Sequence, residues 1–130
     1  MRSRLPLSVR WPIWNSFGRS ELSVMFHSMG NHILKNLVDK QLQDHLPGNM
    51  FSNIIMNAAA VKQFNHSRWV SKLHIQDRIY ITINDGDRPL HGAMLLRMAK
   101  QLGTGYKGKP ADNAIYLNFS DIATIEHNLF

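Results

Sequence analysis

Leu22-Ser23-Val24-Met25-Phe26-His27-Ser28-Met29-Gly30-Asn31 changes pattern halfway along its length. The apolar run Leu22 to Phe26 suits a buried strand, and after Ser28 the chain turns amphipathic. Met29, Ile33 and Leu37 interleave with Leu34, Val38 and Leu42, and spacings of four place an apolar stripe against a sheet. The stretch therefore predicts a strand, one tight turn at Ser28 and a helix, the opening of a βαβ unit. Pro47-Gly48 closes that unit.

The alternation recurs downstream. Phe51 to Asn57 reads as a second strand, and its run Ile54-Ile55-Met56 suits a sheet covered on both faces. Ala58 to Ala60 lead to a short helix or ordered loop around His66 to Leu73, with Trp69, Val70 and Leu73 packing inward. In the third strand, Arg78 to Ile83, Ile79, Ile81 and Ile83 line one face while Tyr80 and Thr82 line the other. The turn Asn84-Asp85-Gly86-Asp87 precedes a helix that starts near Pro89. Its stripe Leu90, Met94, Met98 and Leu102 ends at Gly103. A glycine-rich, lysine-bearing linker, Thr104 to Ala111, leads to a fourth strand, Asn113 to Phe119, and a short polar tail, Ser120 to Phe130. Gly103-Thr104-Gly105 lies at a helix end rather than between a strand and a helix start, so it does not read as a phosphate-binding loop. The expected fold is α/β, a parallel sheet of about four strands with flanking helices. It occupies residues 21–130, behind an irregular basic and aromatic arm, residues 1–20.

Composition narrows the function classes. Of the 130 residues, 44% are hydrophobic and 18% charged, a globular balance that argues against wholesale disorder. No apolar stretch approaches the roughly 18 residues of a membrane-spanning helix. The absence of cysteine excludes disulfides, thiolate metal sites and a cysteine nucleophile, and it fits a reducing, cytoplasmic compartment. The net charge is +6, yet Arg2, Arg4, Arg10 and Arg19 supply +4 of it before the first acid, Glu21. The body is close to neutral, which argues against nucleic acid as its partner. Seven histidines are present, but none forms an H-E-x-x-H pair, and His27 and His32 stand five apart. His66 and His91 are expected to be exposed on helices.

In open α/β sheets, functional groups gather beyond the carboxyl ends of the strands. That rule selects Ser28 after strand one, Asp85 and Asp87 after strand three, and His127 after strand four. Serine, acid, histidine is the chain order of one known triad arrangement. A serine in a strand-to-helix turn is held in a strained conformation with its oxygen above the sheet, and Gly30 is expected to let that turn pack closely. The usual pattern is G-x-S-x-G, and Phe26 stands where its first glycine would be. Each residue also has a plainer role: Ser28 and Asp87 as helix caps, Asp85-Gly86 as a turn pair, His127 as a solvated side chain near the terminus.

Phe26-His27-Ser28-Met29-Gly30-Asn31 resembles the G-H-S-M-G-N nucleophile elbow of the α/β-hydrolase superfamily. Asn84-Asp85-Gly86-Asp87-Arg88-Pro89-Leu90 resembles an N-x-x-D-x-x-L stretch that follows a late strand in one branch of it. His127-Asn128-Leu129-Phe130 resembles that branch's histidine followed by an aromatic residue. The resemblance covers approximately residues 21–130, the C-terminal half of that fold from elbow to catalytic histidine. It implies a serine hydrolase acting on a small ester or acyl substrate, without cofactor or metal. Ser28 would be the nucleophile, Asp87 the acid with Asp85 as its alternative, His127 the base, and the Met29 backbone N–H an oxyanion donor. His27 and Gly30 would belong to the elbow and pocket, with His27 lining the pocket or lying beneath the turn. A second oxyanion donor normally comes from an earlier βα loop, and only 27 residues precede Ser28. The expectation is thus a truncated or impaired enzyme. Its alternative is a non-catalytic fragment or interaction module, whose open first strand is covered by the Trp11 to Phe17 arm, a homodimer partner or a missing N-terminal half.

Overall fold

Four short segments rich in β-branched and apolar residues pair side by side. The computed structural model describes residues 22–86 and 99–121. Strands β1 (Ser23–His27), β2 (Phe51–Asn57), β3 (Gln76–Ile83) and β4 (Ala114–Asn118) form one sheet in the order β1-β2-β3-β4, every neighbouring pair parallel. Helix α1 (Asn31–Asp39) connects β1 to β2, and the short helix α2 (His66–Val70) lies between β2 and β3. The expected α/β fold, a four-stranded parallel sheet with flanking helices, is the one observed. Right-handed crossovers between strands that follow in chain order deliver their connections to the same face. Accordingly α1 touches α2.

Register decides what that face buries. Val24, Ile54, Ile79 and Ala114 stand in one row across the sheet, and Phe26, Met56, Ile81 and Tyr116 in the next row on the same face. Against them pack Leu34 and Val38 of α1, Trp69 and Val70 of α2, and Leu73, Ile75 and Leu102. One residue out of phase, Met25, Ile55, Tyr80 and Ile115 form a row on the opposite face. Among the described residues no helix covers that row, and Met25 remains 49% exposed. The Ile54-Ile55-Met56 run therefore does not mark a strand buried on both sides: Ile54 and Met56 are buried and Ile55 only half so.

Two further expectations are corrected. Of the two interleaved stripes of α1, the one facing the sheet is Leu34 and Val38, joined by Asn31, while Ile33 is 57% exposed and Met29 and Leu42 also face out. Leu42 lies beyond the helix because Gln41, at φ +55°, ends it in the left-handed conformation with its N–H on the Val38 carbonyl. His66 is not exposed; only 1% of it is accessible. Its Nδ1 pairs with the Gln63 carbonyl at 2.9 Å and its Nε2 with the Tyr116 hydroxyl at 2.7 Å, while the Ala111 N–H donates to that hydroxyl at 2.9 Å. These partners assign the protons: Nδ1–H donates to Gln63, and the Tyr116 O–H donates to Nε2. Trp69, Val70 and Leu73 are buried, as their pattern implies. The arm, His91, most of the Pro89 helix and the tail beyond residue 121 lie outside the described residues.

Burial holds the His66 imidazole below its ordinary pKa, partly offset by the hydrogen bond to Gln63. Burial likewise raises the Tyr116 phenol, against the opposing effect of the Ala111 N–H. Because the folded state keeps His66 neutral, its contribution is complete above the ordinary histidine pKa of about 6.5 and is lost as pH falls from there through the lowered folded value. Denaturant titrations from pH 8 to pH 5 are expected to show this decline, and His66→Gln should flatten it.

Candidate functional site

β1 ends in extended geometry at His27 (φ −103°, ψ 134°), and the next residue, Ser28, takes φ +52°. Ser28 to Gly30 make a single 3-10 turn that runs directly into α1. A left-handed conformation costs a side-chain-bearing residue roughly 1–2 kcal/mol, so surrounding bonds must hold it. Asn31 supplies them. Its side chain is fully buried, and Nδ2 donates to the carbonyls of Phe26 and Ser28, both at 2.9 Å, and toward that of Asn57 at 3.4 Å. The Ala60 N–H also donates to the Ser28 carbonyl, at 3.1 Å. The Ser28 side chain is half-buried, and its hydroxyl bonds to none of the described residues.

Gly30 plays a smaller part than its spacing suggests. Its φ is −57°, and a Cβ added there would meet nothing within 4 Å. Neither conformation nor crowding demands glycine at this position. Phe26, where the usual pattern has glycine, points to the helix-covered face and packs against the core.

The carboxyl ends of the strands are stitched together by polar groups. The Ala58 N–H donates to Thr82 Oγ1 at 3.3 Å, the Thr82 hydroxyl to Asn57 Oδ1 at 2.9 Å, and Asn57 Nδ2 to His27 Nδ1 at 3.0 Å. That chain assigns the neutral His27 proton to Nε2. His27 is exposed, so it does not lie beneath the turn. Further along, the Gly103 N–H donates to the Ala59 carbonyl, the Asn84 N–H to the Gly103 carbonyl, and the Asp85 N–H to Ser120 Oγ. Ser28, residues 58–61, the 99–105 segment and the turn after β3 thus form one continuous rim.

Asp85 sits exposed in the turn after β3, where the Gly86 N–H donates to Asn84 Oδ1. Ser28 and Asp85 share the carboxyl edge but follow β1 and β3, two strand spacings or about 10 Å apart. Met29 follows Ser28 in the turn with an exposed side chain. Asp87 and His127 lie outside the described residues. Among the described residues, no three His, Asp or Glu side chains gather as a metal site would need. Sequence reasoning missed Asn31, Asn57 and Thr82. Asn31 alone left a signal, a polar residue three and seven positions before Leu34 and Val38 on the stripe that faces the sheet.

Asn31→Leu is expected to destabilise the fold by about 1–3 kcal/mol, because the Phe26 and Asn57 carbonyls lose the Asn31 donor, while that of Ser28 keeps the Ala60 N–H. Gly30→Ala should change stability by less than about 0.5 kcal/mol. Chemical denaturation of both variants checks the contrast.

No protein-family model matches the chain, and it matches neither a curated protein nor a solved structure, so its own residues carry the functional reading.

Proposed function

We propose that the protein is a serine hydrolase of the α/β-hydrolase type, acting on a small ester or related acyl substrate. The left-handed Ser28 between a parallel strand and a helix carries this reading. Such a turn spends conformational energy to lift a side chain above the sheet edge, and a helix cap needs no such strain. His127 takes the Ser28 proton as the oxygen attacks the acyl carbon, while Asp87, or Asp85 in its place, fixes the imidazole tautomer. The backbone N–H of Met29 stabilises the oxyanion. His127 then gives its proton to the leaving alcohol, and water releases the acyl group from Ser28 by the same route.

A fluorophosphonate probe should modify the folded protein at Ser28, identified by peptide mapping. Labelling should vanish in Ser28→Ala and slow in His127→Ala. A folded sample that leaves Ser28 unmodified removes the nucleophile from the proposal. Ser28→Gly should also lose labelling while gaining up to about 1 kcal/mol of stability, since glycine relieves the left-handed strain.

The row Met25, Ile55, Tyr80 and Ile115, exposed at both ends, half-buried in the middle and continued by exposed Leu117, supports a second reading, an interaction module whose open face takes a partner. On that reading sedimentation shows self-association that Ile115→Glu abolishes. A wild-type monomer that labels at Ser28 excludes it.

A further inference from the structure

Along the same rim, away from Ser28, a cleft of about 420 Å³ opens where the segments following β2 and β3 meet residues 99–107. Its wall is built around Gln63. The backbone N–H of Gln63 donates to the Lys100 carbonyl at 2.9 Å, its side-chain Nε2 donates to the Gly105 carbonyl, and its own carbonyl accepts from His66. Gly105 has φ +140°, a conformation that side-chain-bearing residues rarely adopt, so glycine is required for the chain to turn there. The turn lays Tyr106 against the buried His66 ring and the half-buried Tyr116 ring. Its centroid lies 4.5 Å from that of Tyr116 and 5.4 Å from that of His66, which are themselves hydrogen-bonded to each other. Tyr106 is half-exposed and lines the cleft, a rigid aromatic surface held from behind.

The charges of the lining are unequal. Lys100 and Lys107 both face the cleft, and neither forms an ion pair with a described residue, whereas Asp85 supplies a carboxylate from the β3 side. An anion is attracted by the two ammonium groups. The position agrees with the general rule that open α/β sheets bind ligands beyond the carboxyl ends of their strands.

We infer that this cleft binds a small anionic ligand with an aromatic body, its anionic head between Lys100 and Lys107 and its ring against Tyr106. The inference does not depend on the Ser28 reading. Gln63, Gly105 and Tyr106 are already held in place, so ordering on binding falls on the two lysine side chains.

The full chain, titrated with phenyl phosphate and followed by backbone amide shifts, should show saturable changes at Gly105 to Lys107. Benzoate serves as the carboxylate counterpart, and the tighter of the two identifies the head group. Inorganic phosphate and phenol, each lacking half of the ligand, should bind several-fold more weakly. Lys100→Gln with Lys107→Gln should weaken binding about tenfold, and added salt should do likewise. Both lysines are exposed, so the double variant should remain folded with an unchanged thermal midpoint. Ser28→Ala should bind as the wild type does, which separates this outcome from any failure of the hydrolase reading. Equal affinity for phosphate and phenyl phosphate, unchanged affinity in the double variant, or shifts confined to the Met25 and Ile115 face would each overturn the inference.

Discussion

Parallel pairing in chain order is the constraint on which the other features depend. Each strand must be followed by a return to the amino end of the sheet before the next can pair. With one handedness of crossover, those returns share a face. The described helices therefore cover the row through Phe26, Met56, Ile81 and Tyr116, and none of them covers the row through Met25, Ile55, Tyr80 and Ile115. The same topology brings every strand-to-return turn to one edge, and that edge is where Ser28, Asp85 and the Gln63 cleft are found.

Polar groups determine the shape of the edge. Asn31, fully buried at the start of α1, joins the end of β1, the Ser28 turn and the end of β2 through a single amide. It offsets the cost of a left-handed serine by donating to carbonyls that would otherwise have to be satisfied by water. The His66 and Tyr116 pair does the corresponding work on the same face toward the β4 edge of the sheet, tying the start of α2 to β4 and to the loop that precedes it. Its imidazole is kept neutral by burial, so this tie is also where the fold is sensitive to acid.

Much of the sheet could be read from residue patterns. Phe51–Asn57 is the strand its composition implies, and the alternation Ile79, Ile81 and Ile83 against Tyr80 and Thr82 names the two faces of β3 correctly. Local patterns misled where burial depends on a distant partner. His66 reads as a surface residue because nothing nearby in sequence announces Tyr116, fifty positions away. Ile33 and Ile54 look equally buried by spacing, yet only Ile54 is covered. Gly30 looked structural because of its place in a motif, and its surroundings turn out to be open.

Hydrophobic period, turn residues and the Ser28 spacing were thus determined by the sequence alone, since each arises from neighbours within a few positions. The four-stranded parallel sheet follows from those local signals because its connections are short and of one hand. Only the tertiary structure decided the left-handed conformation of Ser28, the grip of Asn31, the neutral buried His66 and the cleft wall made by Gln63 and Tyr106. Each requires a hydrogen bond or ring contact between residues far apart in the chain, and no local period encodes which distant residue will meet them.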